Sequence, residues 1–132
     1  YRHIEMVDAE VERLLDALED TGRADNTMII FTSDHGEGMG HHQMTRKNIG
    51  YDEAVKVPMV VSWPGHADEG RTDRTHLVSG LDIATTICDC AGLPAPPLAR
   101  GRSMRPLIEG RQVEWHDAVV TEISGNRARV MV

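Results

Sequence analysis

Cysteine, aromatic side chains, positive charge and long apolar runs are all scarce in these 132 residues. The two cysteines, Cys88 and Cys90, stand one residue apart, too close in sequence for an ordinary disulfide with each other. They form no Cys-x-x-Cys pair, which leaves no zinc-knuckle framework, and they read as small apolar residues of a helix. Aromatics make up 4% of the chain. Lys and Arg number 14 against 21 Asp and Glu, a net charge of −7 and a pI near 5.4. That balance argues against a nucleic-acid backbone binder, which would be basic. No run of about 18 apolar residues is present, so no membrane-spanning helix is expected. The chain opens on Tyr1 rather than Met and shows no signal peptide there. A missing true N-terminus is therefore expected, and the compartment stays open. The length suits one domain or a piece of one.

What is present centres on Met28-Ile29-Ile30-Phe31-Thr32-Ser33-Asp34-His35-Gly36-Glu37. An apolar run without polar alternation suits a strand covered on both faces. Ligands of open α/β sheets sit beyond the carboxyl ends of such strands. Asp34 and His35 stand there, and a carboxylate and an imidazole both ligate divalent cations. Asp and Gly are also favoured turn residues, so the triplet Asp34-His35-Gly36 alone also reads as a turn. The loop that follows carries Gly36, Gly38 and Gly40, with neither Walker nor dinucleotide spacing.

The rest of the chain alternates helix and strand. Ile4, Val7, Val11, Leu14, Leu15 and Leu18 recur at helical spacing, predicting an amphipathic helix over residues 2–20 stopped near Gly22. A turn at Asp25-Asn26 leads into a strand over 27–32. A short helix over 48–55 and a strand over 57–62 follow, ended by the turn Trp63-Pro64-Gly65. Residues 66–74 read as a polar loop, 76–79 as a short strand, and 81–91 as a helix capped by Asp82 and stopped by Gly92. Two final strands are expected over 118–123 and 127–132, the start of a small C-terminal sheet.

Several blocks recur in order: Ser33-Asp34-His35-Gly36-Glu37, Gly40-His41-His42, Lys47, Tyr51-Asp52-Glu53-Ala54 with Val57-Pro58, and Trp63-Pro64-Gly65. Together they closely resemble the type I sulfatase family of the alkaline phosphatase superfamily, without gaps from Asp25 to Gly65. Weaker resemblance reaches from about Tyr1 to about Glu122, including Gly101-Arg102-Ser103 with Pro106-Leu107-Ile108 and Gly110.

The resemblance implies the C-terminal portion of an arylsulfatase- or choline-sulfatase-like enzyme. It implies an α/β, alkaline-phosphatase-like sandwich: the C-terminal part of the catalytic domain over 1–93, and a connection with a partial subdomain over 94–132. The implied activity is sulfuric ester hydrolysis. The alternatives are a phosphonate monoester or phosphodiester hydrolase of the same superfamily and a non-catalytic module that keeps the fold. By register, Asp34 and His35 are metal ligands. Lys47, thirteen positions after Asp34, reaches the sulfate, and a cation there would stabilise charge on its oxygens. His42 matches the Gly-x-His histidine and supports the site. Asp82, Tyr51, Glu53 and the arginines Arg100, Arg102 and Arg105 are read as structural.

Ca²⁺ is the metal the resemblance puts first, with Mn²⁺ or Zn²⁺ admitted by the imidazole. The substrate would be a sulfate-ester small molecule or a sulfated glycan. The family's formylglycine nucleophile comes from a Cys or Ser in Cys/Ser-x-Pro/Ala-x-Arg. Cys90 is followed by Ala91-Gly92-Leu93-Pro94 and does not fit it. Nor is the family's early Asp pair present. Both are expected outside these residues, and the chain alone is expected to be inactive.

Overall fold

The computed structural model describes residues 1–43, 46–47, 50–123 and 128–131. Helix α1 spans Arg2–Asp20 and matches the expected range. Gly22, at a φ of 64°, closes it: the Gly22 and Arg23 amides donate to the Glu19 and Leu18 carbonyls, the double bond of a left-handed glycine cap. No residue of α1 is buried, and Ile4, Val7 and Leu14 of its apolar stripe are exposed. The spacing specifies the helix; what its stripe meets is a separate matter.

A 3-10 turn at Ala24–Asn26 leads into β1, Ile29–Thr32. After the loop and α2, Asp52–Val55, comes β2, Met59–Ser62. The two strands pair antiparallel, Ile29 opposite Ser62 and Thr32 opposite Met59. The expected double-sided burial of β1 is not met: Phe31 and, on β2, Val60 are exposed. An apolar run reports capacity for burial, and the covering layer must come from elsewhere in space. Asn48 and Ile49, the start of the short helix expected over 48–55, lie outside the described residues.

Residues 76–79, expected as a strand, pair with no strand among the described residues. They lead into α3, Gly80–Cys90, and the N-cap is Ser79 rather than Asp82. Asp82 sits three residues in, and its carboxylate accepts the Ser79 amide at 2.8 Å while Ser79 Oγ accepts the Leu81 amide, a capping box. Helix α4, Arg105–Ile108, was not expected; Pro106 in its first turn is a helix-start signal. Strands β3, Val120–Ile123, and β4, Ala128–Met131, form a second antiparallel pair. Arg127 and Val132, the ends of the expected last strand, lie outside the described residues. Cys88 and Cys90 are free, half-buried residues of α3, as their spacing suggested.

The core sits between α3 and α4. Met104 and Leu107 are buried there with Asp82 and Thr86, while Ala54 is buried separately on α2. The chain presents 10565 Å² of accessible surface, where a compact monomer of this mass would present about 6,900 Å². Among the described residues the architecture is mixed α/β with two small antiparallel sheets and open apolar faces on α1 and β1–β2.

Candidate functional site

The end of β1 sets the site. Three hydrogen bonds shape the turn after Thr32. Ser33 Oγ donates to the His35 carbonyl at 2.8 Å, the His35 amide to Asp34 Oδ1 at 3.1 Å, and the Gly36 amide to the Ala54 carbonyl at 2.9 Å. The last bond ties the turn to α2. Gly36 passes so close to the Glu53 carbonyl that a Cβ would collide with backbone, so glycine is required there.

This turn aims two donor atoms together: Asp34 Oδ2 lies 3.4 Å from His35 Nε2. His35 Nδ1 donates to the Gly36 carbonyl at 2.7 Å, which fixes the tautomer and leaves Nε2 with its lone pair outward. The Lys47 ammonium donates to that Nε2. The structure thus brings together three of the four residues expected at the site, Asp34, His35 and Lys47. All three line one cavity of about 1060 Å³, and its wall continues through α2, β2, residues 76–80 and β3.

His42 is placed differently. It stacks on Tyr51 with ring centroids 4.0 Å apart, and its Nε2 lies 3.5 Å from Glu53 Oε1. His41 Nδ1 lies 3.4 Å from the same oxygen. His42 takes a φ of 52°, a left-handed conformation uncommon outside glycine, in a 3-10 turn at His41–Gln43. It is not part of the cavity wall. Because Glu53 belongs to α2, these contacts brace the glycine-rich loop against the helix that also holds Gly36.

Sequence reasoning passed over Asp73 and His76, which line the same cavity. The Asp73 carboxylate accepts from the amides of Thr75 and His76 at 2.9 and 3.1 Å, from Thr75 Oγ1 at 3.0 Å, and from His76 Nδ1 at 2.7 Å. The Thr75 amide is the foremost reason that its carboxyl titrates far below the usual carboxylate range; the other three bonds add to it and partial burial opposes it. The signal was available as Asp73-Arg74-Thr75-His76, the spacing of an Asx-type turn.

Among the described residues no group of three or more His, Cys, Asp and Glu is arranged to hold a metal ion. Asp34 and His35 nonetheless suit part of such a site: a carboxylate oxygen and a tautomer-fixed imidazole nitrogen converge, and a cationic ammonium already stands at that nitrogen.

Fold and site together describe a mixed α/β chain whose strand end gathers a carboxylate, an imidazole and a lysine at one cavity. The family model for sulfatases matches residues 1–93, and the chain belongs to the sulfatase family. It is 34% identical over 126 residues to an arylsulfatase of Clostridium perfringens, covering 94% of this chain and 26% of that protein. A protein solved in complex with its substrate D-glucosamine-2-N,6-O-disulfate superposes with a TM-score of 0.86 at 30% identity, over 95% of this chain and 26% of that one. The phosphonate monoester hydrolase of Agrobacterium radiobacter gives a TM-score of 0.81 at 36% identity, over 94% and 26%. The chain spans about a quarter of the length of these relatives. The alkaline-phosphatase-like fold class is thereby met. Membership implies a metal ion and a formylglycine in the family's chemistry.

Proposed function

We propose that the protein is a sulfuric ester hydrolase, in which residues 1–93 belong to the catalytic domain and 94–132 to a connection and partial C-terminal subdomain. This chain carries one half of the metal and sulfate site and is inactive by itself. The observation that carries the reading is the convergence of Asp34 Oδ2, His35 Nε2 and the Lys47 ammonium at the cavity. Asp34 and His35 would hold a divalent cation, which when bound supplies Lewis-acid polarisation of a sulfate oxygen. Ca²⁺ is the first choice; the nitrogen donor also admits Mn²⁺ or Zn²⁺.

The chain's own residues perform the rest. The Gly36 carbonyl keeps the His35 proton on Nδ1, so that Nε2 stays a donor of electrons. Lys47 places a positive charge where negative charge grows on the transferring group, a position worth about 10²–10³ in rate for a well-placed donor. His42 acts indirectly, by holding the loop to Tyr51 and Glu53. The substrate class is a sulfate ester, small or carried on a glycan.

The likeness to the phosphonate monoester hydrolase favours one second reading, hydrolysis of phosphonate monoesters or phosphodiesters. Steady-state turnover of aryl sulfate and aryl phosphonate by the full-length protein, before and after chelation and metal return, tests both. Sulfate ester turnover that is lost on chelation and restored by metal is the expected result. A preference for the phosphonate selects the second reading, and no turnover of either ester overturns both. Peptide mass spectrometry of the same sample, searching for a formylglycine, checks the nucleophile separately.

A further inference from the structure

One residue of α2 meets the site's loop at two places. The Glu53 backbone carbonyl packs so closely on Gly36, the residue after His35, that no Cβ fits between them. The neighbouring Ala54 is buried, and its carbonyl accepts the Gly36 amide at 2.9 Å. The Glu53 side chain serves a later segment: Oε1 lies 3.4 Å from His41 Nδ1 and 3.5 Å from His42 Nε2. Lys47 follows His42 by five positions, and its ammonium donates to His35 Nε2. Through its backbone Glu53 thus contacts the turn of Asp34 and His35, and through its carboxylate the stretch that leads to the lysine.

That stretch is strained. Met39, His42 and Gln43 take φ values of 47°, 52° and 59°, left-handed conformations that are unfavourable for residues with a side chain. Such residues persist where their surroundings hold them, and they gather at functional sites. Here the hold comes from α2 and the residue that caps it. The His42 ring stacks on Tyr51 with 17° between the planes, and one Glu53 oxygen faces two successive imidazoles. An ionised carboxylate has lone pairs enough to face both rings, whereas an amide replaces one of its acceptors with a donor.

We propose that Glu53 is a positioning residue for the reaction, which sets Lys47 against the Asp34–His35 pair by seating its carbonyl on Gly36 and holding the strained stretch through His41 and His42. The inference rests on the hydrolase reading above. The lysine helps only where its charge meets the transferring group, and a misplacement of about 1 Å costs on the order of 10²-fold in rate. Half-exposed contacts of this length add little to global stability, so their loss falls on rate rather than on the fold.

The test uses the full-length protein on 4-nitrophenyl sulfate and an aryl phosphonate monoester. It compares Glu53→Gln, Glu53→Ala, Lys47→Ala and the last two combined. Glu53→Ala is expected to lower kcat by about 10–10²-fold while KM changes less than about threefold, and Glu53→Gln to lose less in the same direction. Added to Lys47→Ala, Glu53→Ala is expected to cost less than about threefold more, because a residue that acts through the lysine then has nothing to position. Amide hydrogen exchange over residues 37–43 is expected to quicken in Glu53→Ala while that of α3 stays unchanged. Equal losses with and without Lys47, an unchanged kcat, or faster exchange throughout with a lowered urea midpoint overturns this inference while the hydrolase reading stands. Failure of the unaltered protein to hydrolyse either ester overturns the hydrolase reading and this inference with it.

Discussion

The loop after β1 and the α3–α4 block are built on opposite terms. The loop carries Asp34, His35, His41, His42 and Lys47, and most of these side chains face solvent; Asp34 is 84% exposed. Its order comes from a few short-range bonds and the close approach of Gly36 to α2. The α3–α4 block carries none of the residues expected to do chemistry, yet it holds the most deeply buried side chains, Asp82 and Thr86. Asp82 joins the α3 cap to the Arg102 amide at 2.8 Å, and the Thr86 hydroxyl takes the Met104 amide at 2.8 Å and gives its proton to the Asp82 carbonyl. Buried polar groups with satisfied partners specify one arrangement, because any other leaves them orphaned. Order in this molecule is thus concentrated away from the site, and the site borrows it through α2 and residues 76–80.

The sharpest way to break that division is Lys47→Ala. It is expected to lower kcat on sulfate esters by about 10²–10³-fold with little change in the urea midpoint, because the side chain is exposed. A large loss of stability instead would make the loop a structural element. Asp82→Ala should do the reverse. Loss of the cap and orphaning of the Arg102 amide are expected to destabilise the full-length protein by about 2–4 kcal/mol in urea unfolding, with Lys47-dependent rate effects intact in the folded fraction.

Acid unfolding gives a finer contrast. Asp73 titrates far below an ordinary carboxyl, so its ionised form stabilises the fold above the unfolded value of about 4, and the contribution drains away as pH falls below that. Replacing Asp73 by Ala should therefore flatten the acid limb of the stability profile and leave neutral pH dependence unchanged. The smallest effect belongs to α1: Arg13→Ala removes an exposed pair with Glu10 and should shift stability by less than about 0.5 kcal/mol.

Much of this was legible in the residues. Period and punctuation placed α1 to the residue and β1, β2, α3 and β3 to within a few, because hydrophobic spacing and glycine stops are local properties. The Asp34–His35–Lys47 gathering was legible through the order of the motif blocks. Capping was harder: Ser79 and Asp82 both suit a helix start, and only the backbone shows that the serine caps while the aspartate reaches back to it. Burial of β1 was overestimated because a composition of apolar residues does not say which surface will meet them. Helix α4 escaped notice since one turn carries no period to read, although Pro106 marked its start. His76 escaped because its partner and its cavity both depend on how the turn at 73–76 folds over the strand ends.

The setting of Trp115 has a spectroscopic consequence. Its indole meets two imidazoles, edge-on to His76 and tilted against His116 at a centroid distance of 4.7 Å. The other tryptophan, Trp63, stacks on His66. A protonated imidazole quenches indole emission by accepting an electron from the excited ring. With Trp63 replaced by Phe, the ultraviolet fluorescence of Trp115 becomes a label-free gauge of imidazole protonation beside the cavity, readable during turnover on the millisecond scale of a stopped-flow trace.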